Sequence, residues 1–307
     1  MRTVYLGTSD FAATVLRRVA GSRHTPALVV TRPSRPKGRG QTTQDPPVAE
    51  LARELGIELL QPESVNETGA VDRIRATGAE ALVVCAFGAI IKEPLLSMMS
   101  NFNVHPSLLP RWRGAAPIER AIAAGDQQTG VTIIELVEQL DAGPICAQAT
   151  LAIGPDDDYG SIAPRLAALG GELLVEALDT AVTGALHWTG QTEAGGQDRV
   201  TYAEKITRAD RTLRPASVPA VELERMIRAL TPQIGAMLET EGDPLRVERA
   251  VVTSKPVEPG VAVELDGRLL VGTPEDTLEL LRVKPAGKQA MDVASYLRGN
   301  GAPALVG

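Results

Sequence analysis

A continuous apolar run over residues 81–91 constrains the fold of this chain more than any other stretch. The run shows no alternation of polar and apolar residues, so a strand built from it must be buried on both faces. Strands of this kind occur in parallel sheets that helices cover on both sides. The run therefore predicts an α/β domain with a parallel sheet.

The N-terminal stretch fits the same sheet. Residues 3–7 form a short apolar strand, and residues 7–10 supply a turn and a helix cap before an amphipathic segment. A second buried strand is predicted at 27–31. The first turn lacks the Gly-x-Gly-x-x-Gly spacing that lets backbone approach a pyrophosphate, so no dinucleotide site is predicted. Together these segments predict a doubly wound (Rossmann-like) α/β domain.

The composition changes near residue 187. From there to about residue 208 the chain is rich in Gly, Gln, Thr and charge, without a hydrophobic period, which indicates a linker. Beyond it, short β runs alternate with Gly-Asp, Pro-Gly and Asp-Gly turns, which favours a small β-barrel. We predict a first domain at 1–187, a linker at 188–207 and a second domain at 208–307.

Charge and composition limit the class of protein. The net charge of -7 and the pI of about 5.2 argue against a chain that binds nucleic acid over its whole surface, although a local basic patch is allowed. The two cysteines lie in apolar runs and the three histidines are far apart in sequence, so we predict reduced thiols and no metal site. No apolar run is long enough for a membrane span or signal peptide, so we expect a cytoplasmic protein with no membrane contact.

The stretch 101–121 carries the most chemistry. Asn103 and His105 alternate with Phe102 and Val104, so they project from one side of a predicted strand that Pro106 ends. Strand ends are where open α/β sheets place ligands. An ordinary structural role, with Asn103 capping a turn and His105 satisfied in the core, is equally compatible with these residue types.

A basic segment follows the second predicted strand. Residues 32–40 hold four cations, two prolines and two glycines, and with residues 41–47 they predict a long loop. Such a loop is either a solvated connection or a local phosphate contact in an acidic protein.

Several motifs resemble a known family. Residues 103–110, reading Asn-Val-His-Pro-Ser-Leu-Leu-Pro, and 140–145, reading Leu-Asp-Ala-Gly-Pro-Ile, resemble the signature of the folate-dependent formyltransferases. Residues 111–118, 201–206 and 285–291 resemble one branch of that family, the methionyl-tRNA formyltransferases. The resemblance covers nearly the whole chain and implies an OB-like, tRNA-binding barrel for the second domain.

The resemblance implies an activity and its residues. It implies transfer of the formyl group of 10-formyltetrahydrofolate to the free amino group of initiator methionyl-tRNA, with no metal and no stable protein partner. The implied catalytic residues are Asn103, His105 and Asp141. The implied folate-binding residues are Phe87, Gly88, Ala89, Ile90, Ser107, Leu108, Leu109 and Pro110. The implied tRNA-binding residues are Arg35, Lys37 and Arg39.

Three other functions remain open at this point. A formyltransferase acting on an amino sugar nucleotide, or a formyltetrahydrofolate hydrolase, would carry the same catalytic trio, and only the branch motifs favour methionyl-tRNA. A non-catalytic RNA-binding protein with a degenerate enzyme domain is the third possibility. The acidic pI and the intact trio argue against it.

Overall fold

The computed structural model describes residues 1–37, 42–192 and 199–306 of the 307-residue chain, without the side chains of Lys37 and Thr42. The chain divides into two compact units. The first comprises Met1–Gly114, Thr129–Ala152 and Ala163–Tyr202, and the second comprises Ala115–Gln128, Ile153–Ile162 and Ala203–Gly307. Each unit is built from several separate segments of the chain. That residues 1–187 and 208–307 form two domains that fold independently stays a prediction.

The described elements follow in chain order. The first half of the chain contains β1 (Thr3–Gly7), α1 (Asp10–Ala20), β2 (Pro26–Val30), β3 (Arg35–Lys37), β4 (Thr42–Gln44), α2 (Pro47–Glu54), β5 (Leu59–Leu60), α3 (Thr68–Ala76), β6 (Ala81–Cys85), β7 (Ser100–His105), β8 (Arg113–Gly114), α4 (Pro117–Ala124), β9 (Gln128–Ile134) and β10 (Ile145–Ala152). The second half contains α5 (Tyr159–Val182), β11 (Tyr202–Ala203), α6 (Arg208–Arg211), β12 (Thr212–Leu213), α7 (Ala220–Leu230), β13 (Ala236–Leu238), β14 (Leu245–Thr253), β15 (Ala262–Leu265), β16 (Arg268–Gly272), β17 (Thr277–Lys284), β18 (Met291–Asp292) and α8 (Val293–Asn300).

The first unit is built on a seven-stranded sheet with the order β10-β9-β7-β6-β1-β2-β5. β1 pairs in parallel with β2 and β6, and β6 pairs in parallel with β7. From β1 the chain extends the sheet in one direction through β2 and β5, and from β6 it extends it in the other direction through β7. This reversal between β1 and β6 confirms the predicted doubly wound topology.

The apolar run that predicted this sheet is only partly a strand. β6 ends at Cys85, and all five of its residues are buried. Ala86 then adopts a left-handed φ of 42°, which turns the chain out of the sheet. The prediction of one strand through residue 91 was therefore wrong in length, because a backbone turn interrupts an apolar sequence.

The basic segment is a hairpin where a loop was predicted. β3 and β4 pair antiparallel, with Arg35 opposite Gln44 and Pro36 opposite Thr43. At the base of the hairpin, Asp45 accepts hydrogen bonds from Ser34 and from Nη1 of Arg53. Residues 38–41, which include Arg39, lie outside the described residues.

The second unit contains another seven-stranded sheet. Its order is β12-β13-β14-β17-β16-β15, with β18 paired to β17, and the pairs from β13 onward are antiparallel. The sheet curls into a half-barrel, as the predicted barrel fold requires. Its core includes Leu223 and Ile227 of α7, Val247 of β14 and Leu280 of β17. Across the described ranges, no helix has the length and apolar character that a membrane span needs.

Candidate functional site

Asn103 and His105 lie side by side at the carboxyl end of β7. Asn103 is opposite Val84 of β6, and His105 is opposite Thr132 of β9. Strand alternation gives the two side chains a common face, at roughly 6.5–7 Å along the strand. They are 8% and 4% exposed, so two polar groups sit at a nearly dry strand end. The sheet therefore brings these two predicted residues together.

Two groups hold the imidazole of His105. Its Nε2 atom lies 2.9 Å from the carbonyl oxygen of Trp112. A carbonyl oxygen can only accept, so Nε2 carries a hydrogen and donates it. The Nδ1 atom lies 3.7 Å from Oδ2 of Asp141, which is longer than a direct hydrogen bond. The Nδ1 edge is therefore the edge that faces the carboxylate and has room for a reacting group.

Asp141 reaches this position through a strained backbone. Its φ is 47°, a left-handed value that is uncommon for residues with a side chain, although Asp adopts it more often than most. The N–H of Gly114 donates to Oδ2 of Asp141 at 2.9 Å, and the side chain is 11% exposed. Ala86 and Trp112, with φ values of 42° and 65°, are left-handed as well and border the same strand end. Left-handed non-glycine residues thus cluster at the loops that form the site.

The amide of Asn103 is left available. Within the described part of the chain, the Asn103 side chain makes no hydrogen bond, although only 8% of the residue is exposed. The amide N–H groups are therefore free to donate to the oxygen of a bound substrate.

The loop after β6 contains four predicted folate-binding residues. The Phe87 side chain is 5% exposed and packs in the core, while its carbonyl accepts a hydrogen bond from Oγ1 of Thr8 at 2.8 Å. Ile90 is 76% exposed, and Nδ2 of Asn66 donates to its carbonyl at 2.8 Å. Gly88 and Ala89 are exposed between them. The loop therefore exposes backbone and the apolar side chain of Ile90, and its hydrogen bonds to Thr8 and Asn66 hold it in place.

The loop after β7 contains the other four predicted folate-binding residues, and Thr132 of β9 holds it. Oγ1 of Thr132 donates to the carbonyl of Ser107 at 2.6 Å and accepts from the N–H of Leu109 at 3.2 Å. Ser107, Leu109 and Pro110 are buried, and Leu108 is half-buried. These contacts give the loop a rigid shape beside His105.

Two of the three predicted tRNA-binding residues lie on β3. Arg35 is exposed at the start of β3, and Lys37 ends that strand. Arg39 lies outside the described residues. The first two cations thus share one short strand.

Two functional candidates were missed by the sequence reasoning. Arg113 is 7% exposed, and its Nε atom donates to Oε1 of Gln191 at 2.9 Å. Gln191 is 3% exposed, and its Nε2 atom donates to the carbonyls of Asp141 and Gly143, both at 2.8 Å. Gln191 belongs to a stretch that was predicted to be a linker, and nothing in its local sequence indicates burial.

The thiols offer no nucleophile to this site. Burial raises the pKa of Cys85 to about 12, and it raises the pKa of Cys146 to about 12 as well. Both cysteines are free thiols, as predicted. In the described ranges, no three His, Cys, Asp or Glu side chains come together as metal ligands. The chemistry that the site itself displays is hydrogen bonding and proton transfer by an amide, an imidazole and a carboxylate.

Comparison with known proteins places this geometry in a family. A family model described as "Formyl transferase" matches residues 1–178, and one described as "Formyl transferase, C-terminal domain" matches residues 205–301. The methionyl-tRNA formyltransferase of Methylobacillus flagellatus is 41% identical over 98% of this chain and 97% of its own length. The protein of that name from Phenylobacterium zucineum is 40% identical over 100% of this chain and 99% of its own.

Solved structures agree on the fold. WlaRD, a sugar 3N-formyl transferase solved in the presence of dTDP and 5-N-formyl-THF, superposes with a TM-score of 0.68 at 14% identity. The match covers 94% of this chain and 99% of that one, and at this identity it concerns the fold alone. Because the family models and the relatives together span both parts of the chain, the protein belongs to the formyl transferase family.

Proposed function

We propose that this protein is a methionyl-tRNA formyltransferase, which transfers the formyl group of 10-formyltetrahydrofolate to the free amino group of initiator methionyl-tRNA. The observation that carries the proposal is the likeness to relatives of that name, at 40–41% identity over 98–100% of the chain. This sequence likeness includes the C-terminal part of the chain. We expect that part to differ most between formyltransferases that act on different acceptors.

The reaction needs little covalent chemistry from the protein. The amine nitrogen of methionine attacks the formyl carbon, and the bond between that carbon and N10 of the folate breaks. One proton leaves the amine and one is gained by N10, so the protons balance. The transition state places negative charge on the formyl oxygen, and its stabilisation is the largest contribution an enzyme can make.

Three side chains have the chemistry for these steps. The amide of Asn103 donates to the formyl oxygen, and His105 donates to it through Nδ1 in its imidazolium form, in which both ring nitrogens carry a hydrogen, from the same face of β7. Asp141 orients the imidazole and accepts the proton that the attacking amine releases, from a distance that one substrate atom can bridge. None of the three side chains forms a bond to the formyl carbon.

The two substrates have separate surfaces in this proposal. The folate lies against the loops at 87–90 and 107–110, where exposed backbone and the exposed side chain of Ile90 can receive a flat ring. The tRNA is held by Arg35, Lys37 and Arg39 and by the C-terminal domain at 208–307. The protein acts in the cytoplasm, where translation takes place, and needs no stable protein partner.

An acceptor panel tests this proposal. The purified protein is given 10-formyltetrahydrofolate with initiator methionyl-tRNA, elongator methionyl-tRNA, a dTDP-linked amino sugar, or no acceptor, and His105→Ala is the control. We expect kcat/KM to be highest for initiator methionyl-tRNA, with little formate released without acceptor. Preference for the amino sugar would indicate a sugar formyltransferase, and rapid formate release would indicate a hydrolase. Binding of tRNA without any transfer would indicate a non-catalytic RNA-binding protein.

A further inference from the structure

We propose that Gln191 is a positioning residue for the reaction, because it fixes the Asp141 carboxylate against His105. The expected effect on kcat rests on the proposed function. The effect of Gln191 on the position of Asp141 beside His105 can be measured without any acceptor. Gln191 is buried and makes no hydrogen bond to His105 in the described part of the chain. Its three hydrogen bonds all go to Arg113 and to the turn that carries Asp141.

The orientation of the Gln191 amide follows from its partners. The Nε atom of Arg113 can only donate, so the atom facing it must be the amide oxygen. The carbonyls of Asp141 and Gly143 can only accept, so the atom facing them must be the amide nitrogen, which has two hydrogens to give. Every hydrogen of that NH₂ group is used, in a side chain that is 3% exposed.

These bonds close a ring around Asp141. The ring runs from the Asp141 carbonyl through the Gln191 amide to the Arg113 side chain. It continues along the backbone to Gly114, whose N–H donates to the Asp141 carboxylate. Asp141 is thus bonded at its carboxylate by Gly114 of β8 and at its carbonyl by Gln191, which is itself bonded to Arg113 of β8. Trp112, the residue before β8, supplies the carbonyl that holds Nε2 of His105.

The hydrogen bonds from Gln191 and Gly114 hold Asp141 in an unfavourable backbone conformation. Asp141 has a left-handed φ of 47°, a conformation that costs on the order of 1–3 kcal/mol for a residue with a side chain. Two residues further on, a Cβ at Gly143 would overlap the carbonyl oxygen of Glu135, so the turn is pressed against its neighbour. Loss of the two Gln191 hydrogen bonds lets Asp141 relax toward an ordinary φ. The carboxylate then moves away from the 3.7 Å position beside Nδ1 of His105.

Gln191→Glu tests this role and keeps the contact with Arg113, and melting temperatures are measured for each variant so that its kcat is compared per folded molecule. The carboxylate keeps an acceptor for the buried Arg113 guanidinium, but it has no hydrogen for the carbonyls of Asp141 and Gly143. We expect kcat to fall roughly 10- to 100-fold, with KM for 10-formyltetrahydrofolate nearly unchanged. Gln191→Met, which removes both kinds of hydrogen bond, should show at least the same loss. Thr189→Val is the control, because Thr189 pairs with Ile145 through its backbone and that pairing survives the change.

A double-mutant cycle separates positioning from general destabilisation. If Gln191 acts only through Asp141, adding Gln191→Glu to an Asp141→Asn protein should change kcat by no more than about twofold. Full additivity of the two losses would overturn the proposal. So would wild-type kcat in both Gln191→Glu and Gln191→Met.

A spectroscopic measurement keeps this test independent of the acceptor. The chain has three histidines, so ¹⁵N-labelled imidazoles give a simple spectrum in which His105→Asn identifies the His105 signals. We expect Gln191→Glu to move the His105 ring signals and to leave those of His24 and His187 in place. Unmoved His105 signals would overturn the inference even if the enzyme proved active. A shifted signal in a protein that does not formylate methionyl-tRNA would instead retain the inference and reject the proposed function.

Discussion

Nδ1 of His105 and Oδ2 of Asp141 lie 3.7 Å apart, with 5% and 11% of the two side chains exposed. The same oxygen accepts a hydrogen bond from the N–H of Gly114, so the carboxylate is held by the backbone before any substrate arrives. A pair at this distance is close enough to interact strongly and loose enough to admit a reacting atom. Pre-organisation of this kind lowers the reorganisation that the transition state requires.

Asn103→Ala and His105→Ala should lower kcat while folate affinity changes little. Removal of one donor to an oxyanion costs on the order of 100- to 1000-fold in rate, whereas a residue that only binds substrate raises KM. Steady-state kinetics with both substrates varied, together with folate titration, would measure the effect. Near-normal turnover in either variant would show that the residue is structural.

Asp141→Asn should cause a comparable loss of kcat with the fold intact. Asn keeps the shape, tolerates a left-handed φ and accepts the hydrogen bond from Gly114 through its amide oxygen, but it supplies no charge and accepts no proton. We expect a melting temperature close to that of the wild type. A lower melting temperature with unchanged activity per folded molecule would assign Asp141 to the turn alone.

The sequence predicted those parts of the site that depend on local periodicity. Alternation placed Asn103 and His105 on one face of a strand, and apolar runs predicted β1, β2 and β6 of the parallel sheet. These features follow from neighbouring residues, so a single sequence contains them. The family resemblance then supplied Asp141, which lies far along the chain.

The parts that were missed depend on contacts distant in sequence. Gln191 is 50 residues from Asp141 and sits in a stretch without hydrophobic period, so its burial could not be foreseen. The segment 32–47 was predicted as a loop because of the cations, prolines and glycines in residues 32–40, whereas residues 35–37 and 42–44 pair as antiparallel strands. The hairpin has two strands, and the Asp45–Arg53 ion pair lies at its base. No pattern in the sequence indicates that these two side chains meet.

Arg39→Ala should weaken use of methionyl-tRNA without affecting the folate site. The flanking glycines allow close approach to a phosphate, and each lost phosphate contact should reduce the salt dependence by a slope of roughly 0.7–0.9. We expect a higher KM for methionyl-tRNA and a much lower kcat/KM. The assay is a salt series, and tRNA should protect the segment from protease.

A matched control accompanies the Arg39 variant. Arg17→Ala also removes one exposed cation, but the Arg17 guanidinium lies on α1 and is paired with Glu54 of α2. It should formylate methionyl-tRNA as the wild type does across the salt series. If Arg39→Ala behaves like Arg17→Ala, the basic segment is only a solvated connection.

Asp210 should make the stability of the protein depend on pH below 4. Hydrogen bonds from Thr207, with a further contribution from Arg120, lower the pKa of Asp210 from 3.8 to about 2. A carboxyl group with a depressed pKa stabilises the fold fully above its unfolded pKa, and this contribution is lost as the pH falls from about 4 toward 2. In Asp210→Asn, the melting temperature should be lower at pH 6 and should fall less between pH 4 and pH 2.5.

Asp266→Asn is the control for this measurement. Asp266 belongs to the same unit, and its side chain is 78% exposed, so its removal should leave the melting curve near that of the wild type. Equal pH profiles for wild type and Asp210→Asn would show that the capping hydrogen bonds from Thr207 do not stabilise the folded state.

A single-turnover experiment tests the central claim most directly. Enzyme in excess over methionyl-tRNA is mixed with 10-formyltetrahydrofolate labelled in the formyl group, and label on the methionine nitrogen is followed for wild type, Asn103→Ala, His105→Ala and Asp141→Asn. The account predicts rapid transfer by the wild type and a rate reduced on the order of 100-fold or more in each variant, with both substrates still bound. Transfer at the wild-type rate in any of the three variants, or no transfer to methionyl-tRNA by the wild type, would contradict it.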